Sequence, residues 1–388
     1  MHGKIDECLT DLSGFNCQKV STTVSDIFNI VKNYYSLGYG LMAIPSESRL
    51  FTLGIEPNIW FSVVRVCEVQ LDKNETHRLY KLRNPWKNLH STWGGKYGVG
   101  SKHWNKTLMD ALDMVEVDAN RTEDEESCFW VDETEFIDLF SDFVVSYNFN
   151  NEVSDSQKVR HKMGKFSLVK FRVKTNGFGV FSVSQFDSRR LPGLVKDKKY
   201  GYSLVRILIC QLDKVTNQWD YICGQHGQTR DTILPMNLSP GNYIAIIQAE
   251  WKFSDHYDLA FKWTGDAGFQ SLGRERIRDK PEFLKEVLVR KAYQRGKFKP
   301  IDSDCYGEWL RVAFNDVLLW IDIIKNNTDK RIYVQQFFEG SENIVCDQES
   351  KPNSGQVTVL LLSEAQESIL YRAGDEDCEL AEEEPAFT

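Results

Sequence analysis

Residues 79–86 read LYKLRNPW and residues 126–145 read ESCFWVDETEFIDLFSDFVV; the fold of the first part of the chain turns on these two stretches. HRLYKLRNP (77–85) alternates apolar and polar side chains as a strand does and stops at Pro85, which has no N–H to give to a sheet. Working outward, FSVVRVCEVQ (61–70) and FVVSYNF (143–149) alternate in the same way, and a polar turn at Asp72–Asn74 joins 61–70 to its neighbour. KTLMDALDMV (106–115) and ETEFIDLF (133–140) read as helices. Upstream, Ile27, Phe28, Ile30, Val31, Tyr34 and Tyr35 recur at helical spacing behind the caps Ser25 and Asp26, and Gly38 and Gly40 end that helix before a strand. The first 150 residues therefore read as α+β, with strand pairs in an antiparallel sheet.

Beyond a polar linker near 151–164 the pattern changes. FSLVKFRVK, GFGVFSVSQF, YSLVRILICQL, YICGQ, TILPMNL, NYIAIIQAEW and YDLAFKW are short strands punctuated by turn signals such as Asn176-Gly177 and Pro240-Gly241-Asn242. That density of strands over 155–270 predicts an all-β sandwich. Residues 274–299 carry ten Lys/Arg against four acids around a short helix opened by Asp279 and Pro281 and buried through Phe283, Leu284, Val287 and Leu288, which predicts a basic helical connector. Residues 300–372 give more strands, WLRVAFNDVLLWIDIIKNN, RIYVQQFFEG and GQVTVLLLSE, and predict a second, smaller β-rich unit. The end of the chain (373–388) holds seven acids and little apolar content, the composition of a disordered acidic tail.

The chain has 388 residues, enough for two to three domains. Its 47 Lys+Arg against 56 Asp+Glu give a net charge of −9, which argues against nucleic acid as a partner. No run approaches the roughly 20 apolar residues that span a bilayer, and MHGKIDECLTDLSG lacks the order of a signal peptide, so a cytoplasmic protein is expected. The nine Cys are odd in number and form no C-x-x-C pair, so neither a disulfide framework nor a zinc site is suggested and no metal ligands are assigned.

LYKLRNPW, the Trp-bearing loop with Trp93, Tyr97 and Trp104, and ESCFWVDETEFIDLFSDFVV together resemble the second half of the calpain cysteine protease core. There a strand ending in L-R-N-P-W carries the active-site Asn, and a D-G-E-F-W segment follows. LTDLSGFNCQ (9–18) resembles the calpain L-T-D-L-T-G segment. FSVSQFDSRR (181–190) and LSPGNYIAII (238–247) resemble strands of the calpain-type β-sandwich, domain III. The resemblance implies a papain-like half-core over 1–150, then a domain III-like sandwich over 155–270, with matches in the same order across residues 9–265.

In such proteases a Cys thiolate attacks the peptide carbonyl, a His moves the proton, and an Asn carbonyl orients the His. The resemblance places Asn84 at the orienting Asn and Trp86 at the indole that shields its hydrogen bond; Asn84 equally fits a strand-end turn before Pro85. The family's G-H-A-Y-S-V motif falls on Asn58, Ile59, Trp60, Phe61, Ser62 and Val63, so Ile59 stands where the His belongs. His77, His90 and His103 lie outside that register. The nucleophilic Cys of the family precedes the L-T-D-L-T-G segment, whereas this chain starts only eight residues before it, and Cys8 and Cys17 lack the surrounding Gln and Trp/Tyr.

The family's calcium-binding core loops also look degenerate. Thr92 and Val99 replace loop acids, and Glu126, Ser127 and Cys128 replace D-G-E. The acidic run Glu123–Glu126 fits a weak ion site or a solvated loop, there is no EF-hand loop, and no cofactor is expected. The partners expected are an anionic phospholipid surface, met by Arg189, Arg190, Lys196, Lys198 and Lys199, and a protein that covers the half-core. The function expected is that of a calpain-family homologue, proteolytically inactive as written and acting in binding or regulation. The alternative is the C-terminal portion of a calcium-dependent cysteine-type endopeptidase that performs limited intracellular proteolysis.

Overall fold

The alternation leading into LYKLRNPW builds an interior strand of a sheet. The computed structural model describes residues 4–46, 53, 59–71, 76–85, 93–98, 100–114, 127–149, 153–162, 166–187, 201–251, 256–274, 280–300, 308–325, 332–338, 344–345, 349–350, 355–361, 369–374 and 381–383. The chain divides into two units, Met1–Glu152 and Val153–Thr388. Both are rich in antiparallel strands, and no helix among the described residues is long and apolar enough to cross a membrane.

The first unit runs α1 (Ile5–Ser13), β1 (Asn16–Ser21), α2 (Ile27–Ser36), β2 (Gly40–Pro45), β3 (Phe61–Gln70), β4 (Thr76–Arg83), α3 (Lys106–Ala111), β5 (Cys128–Asp132), a helix over Glu133–Leu139 and β6 (Phe140–Tyr147). Its six strands lie in the order β1-β6-β2-β3-β4-β5, every pair antiparallel. Gly14 closes α1 at φ 75°, a left-handed position that suits glycine, and its N–H reaches the Thr10 carbonyl at 2.9 Å. The amphipathic spacing of α2 buries Phe28 and Val31 completely. Phe28 packs edge-on against Tyr80 of β4 at 5.5 Å, and Tyr80 stacks on Phe136 at 4.1 Å. The turn at Asp72–Asn74 lies outside the described residues.

In the second unit come β7 (Val153–Lys162), β8 (Phe166–Val173), β9 (Gly177–Ser184), β10 (Leu204–Leu212), β11 (Trp219–Gly227), β12 (Asp231–Leu238), β13 (Gly241–Glu250), β14 (His256–Gly265) and β15 (Phe269–Arg274). They form a five-stranded sheet, β11-β10-β13-β8-β15, and a four-stranded sheet, β12-β9-β14-β7, whose side chains share one core that includes Phe171, Phe181, Ile207, Leu234, Ile247 and Trp263. Trp263 is fully buried, and its ring leaves no room for a side chain at Gly179, where a Cβ would overlap the indole. The sequence reading of 151–164 as a linker is corrected: Val153–Lys162 is a strand paired along its length with β14. Sitting at the sheet edge, it needs little apolar content, and Val159 alone among its described side chains is buried.

The remaining elements are a helix over Lys280–Arg295, then β16 (Lys299–Pro300), β17 (Glu308–Phe314), β18 (Leu319–Lys325), β19 (Ile332–Phe338), β20 (Ile344–Val345), β21 (Glu349–Ser350), β22 (Gly355–Leu361), β23 (Ile369–Gly374) and β24 (Ala381–Glu383). Their sheets run β16-β17-β18-β22-β20 and β21-β19-β23-β24. The Lys280–Arg295 helix is core as well as connection. Its Phe283, Leu284, Val287, Leu288 and Ala292 join a second apolar cluster with Leu208, Ile244 and Ile246 of the five-stranded sheet and Leu310, Phe314 and Ile321 of β17 and β18. Within the acidic end of the chain, Ala381–Glu383 pairs with β23, and 375–380 and 384–388 lie outside the described residues.

One turn is pinned with particular density. Between β17 and β18, Asn315–Val317 forms a single 3-10 turn, followed by Leu318 at φ 49°. The Asp316 carboxylate accepts hydrogen bonds from the Tyr221 hydroxyl and, at 3.2 Å, from the Gly224 N–H, while its carbonyl accepts from His226 Nδ1 at 3.0 Å. The fully buried Arg206 donates Nε to the Val317 carbonyl at 2.8 Å and Nη1 to Gln248 at 2.6 Å and to Glu250.

Candidate functional site

The candidate site lies at one end of the β3–β4 pair. Ser62 opposes Arg83 there, so the chain entering β3 through Ile59 and Trp60 and the chain leaving β4 through Asn84 flank the same end of the ladder. A one-residue slip between Val63 and Arg65 bulges β3 just inside that end and leaves Val64 38% exposed. Two of the positions singled out in the sequence, Ile59 and Asn84, thus lie on chain segments that adjoin the same end of the ladder. Trp86, the third, lies outside the described residues.

Ile59 is 8% exposed and precedes Phe61, which is wholly buried. Its side chain is a hydrocarbon with no lone pair to take a proton and no N–H to give one. Asn84 is half-buried, and its backbone N–H donates to the Ser127 carbonyl at 2.9 Å, which ties the end of β4 to the start of β5.

No described imidazole occupies that end of the sheet as a base would. His77 opens β4 at its opposite end, with Nδ1 2.9 Å from the Tyr97 hydroxyl. His103 lies in the loop before α3. His226 is in the second unit, and His90 lies outside the described residues. Among the thiols, Cys8 sits within α1 and Cys17 is buried in β1, where its Sγ donates to the Phe15 carbonyl at 3.7 Å. A nucleophilic cysteine needs a lowered pKa. Burial instead pushes the Cys67 and Cys210 thiols up and Cys223 up to about 11.

The Trp-bearing loop is anchored through a group that the sequence reading passed over. Asp132 caps the Glu133–Leu139 helix, its Oδ1 accepting from the Glu135 N–H at 2.8 Å, while its Oδ2 holds Lys96 Nζ at 2.7 Å. The Lys96 N–H in turn donates to Glu135 Oε1 at 2.6 Å. Burial raises the Glu135 pKa against these contacts, and the Asp132 bond raises that of Lys96. The signal was in the sequence as D-E-T-E, a capping spacing with the acid three residues on. Thr92, Val99 and Glu123–Glu126 lie outside the described residues, and the described His, Cys, Asp and Glu form no group of three able to hold a metal ion. Arg189, Arg190, Lys196, Lys198 and Lys199 also lie outside the described residues.

The profile of the calpain family cysteine proteases matches residues 1–147, the span of the six-stranded unit. No curated protein matches the chain. A crystal structure of a protein from Sulfurospirillum deleyianum is similar over 30% of this chain and 99% of its own, at 13% identity and a TM-score of 0.23, too slight a likeness to assign a fold. Residues 1–147, whose Leu82 and Arg83 close β4 and lead into Asn84, are thus similar to the calpain family of cysteine proteases.

Proposed function

We propose that this calpain-like chain has no proteolytic activity of its own and acts by binding or regulation. The observation that supports the reading is Ile59, a buried aliphatic side chain two residues before β3, at the position to which the motif resemblance assigns the family's His. Without a base next to the Asn84 position, a thiol arriving there would stay protonated and a leaving amine would receive no proton. We take the six-stranded unit as the second half of a papain-like core and the two sheets of β7–β15 as a calpain-type sandwich. The order of elements and their antiparallel pairing support this. The basic stretch Arg189, Arg190, Lys196, Lys198 and Lys199 then offers an anionic phospholipid surface about 1 kcal/mol per charge.

The test is turnover of casein and of a fluorogenic peptide by the purified chain, with and without calcium. No cleavage above a heat-treated control is expected. Leupeptin-sensitive turnover would overturn the reading, and abolishing such turnover by Asn84→Ala would return the site to proteolysis.

A further inference from the structure

The turn between β10 and β11 and the Lys280–Arg295 helix enclose a groove with a volume of about 530 Å³. Its walls are Trp219, Phe283, Val287, Val289 and Tyr293, with Arg290 among them. The turn is rigid: the Asp213 carboxylate accepts the N–H of Val215 at 2.6 Å and of Thr216 at 3.2 Å, and Asp213 N–H reaches the Gln218 carbonyl at 2.8 Å. Arg290 braces it from the helix, donating Nη1 to the Trp219 carbonyl at 2.9 Å and to Asp220 at 3.3 Å. Two large apolar side chains stand in solvent on these elements, Val215 at 93% exposure and Tyr293 at 48%.

Charge selects the occupant. Residues 287–300 hold Arg290, Lys291, Arg295, Lys297 and Lys299 and no carboxylate. Arg295 is engaged over the Tyr221 and Phe314 rings, and Lys325 places its Nζ 3.6 Å over the Phe298 ring and 5.3 Å from the Tyr293 ring centre. Of the acids described at the groove, Asp220 is taken up by Arg290, and Glu286 lies two helical turns before Tyr293. The Tyr293 end of the groove is the cationic one, with Lys325 at that ring and Phe298, flanked in sequence by Lys297 and Lys299, 5.5 Å from it.

We propose that this groove docks an acidic peptide segment of a partner protein, which inserts one large apolar side chain between Trp219 and Tyr293 and sets its carboxylates against the Lys291–Lys297 end. A groove of this size with apolar walls and a few placed charges suits a side chain. A flat membrane surface would leave its walls uncovered. The proposal stands apart from the protease question, because an active peptidase would carry the same groove.

The test is fluorescence anisotropy of fluorescein-labelled Glu-Glu-Leu-Phe-Glu-Glu titrated with the full chain. Saturable binding is expected, weakened about tenfold or more by Tyr293→Ala, as for a central aromatic anchor, with the unfolding midpoint unchanged. Lys297→Glu should weaken it as well. Equal binding of a hexaglutamate peptide, no effect of Tyr293→Ala, or absence of saturation would each overturn the proposal. So would Tyr293→Ala releasing the chain from phosphatidylserine vesicles, since the occupant would then be lipid. A chain whose seven acids in 375–384 are replaced by amides reports on the remaining occupant. Affinity raised about tenfold there would mean that the molecule's own end fills the groove, and the partner assignment would fall.

Discussion

Gly224 lies where β11 meets the Asn315–Val317 turn. A Cβ built there would collide with Val317, the Ile207 carbonyl at 2.7 Å and the Tyr221 hydroxyl at 2.8 Å, and two of these three neighbours cannot yield without moving backbone or a packed core residue. Gly224→Ala should therefore cost about 1–3 kcal/mol in urea unfolding, the usual range for overpacking. At Gly227 the nearest neighbours are the Thr232 and Thr229 hydroxyls, at 3.3 and 3.4 Å, and Gly227→Ala should cost less. Asp322 makes a second residue-scale prediction. It is 2% exposed, and burial raises its carboxyl to about 6 even though Arg311 grips it at 2.8 and 3.1 Å. Between about pH 4 and 6 the folded protein then holds a proton that the unfolded chain has released, so this group's contribution to stability falls as pH rises and is level above about 6. Asp322→Asn should remove that slope from a plot of unfolding free energy against pH. Neither position could be read from the sequence, because Gly224 and Asp322 acquire their meaning from neighbours about 90 residues away or across a hairpin. Ile59 is singled out only through its register with a motif.

Among elements, the Lys280–Arg295 helix shows how much a local reading can carry. Phe283, Leu284, Val287 and Leu288 were picked out by their spacing, and all four are buried. The spacing could not show that strands on both sides would cover them. Leu288→Ala should cost about 2–5 kcal/mol in urea unfolding, as for a truncated core leucine, where a helix merely bridging two units would tolerate it. Edge strands gave the opposite lesson. β7 and β15 border their sheets, need only one partner each, and carry polar or exposed side chains that hide them from a search for alternation. β5 was submerged for another reason: its five residues run directly into the Glu133–Leu139 helix with no intervening loop.

The whole molecule is acidic, with a net charge of −9, and yet its cations cluster. If the 189–199 stretch meets anionic lipid, sedimentation with phosphatidylserine vesicles should fall steeply as salt rises from about 0.05 to about 0.5 M, because the Debye length shrinks severalfold over that range. Equal binding to neutral phosphatidylcholine vesicles would argue against it. The change of pattern near residue 150 was legible because strands mixed with helices give way there to a dense run of short strands, with helical spacing returning only at 280–295. The slot that Gly179 leaves for Trp263 has a further consequence. That indole is fully buried and its Nε1 has no hydrogen-bond partner among the described residues, so no hydrogen bond to solvent or side chain relaxes around its excited state there. The difference between the emission spectra of the native chain and Trp263→Phe should be a blue-shifted band, an optical probe of the two-sheet core that dims or shifts red only when water enters it.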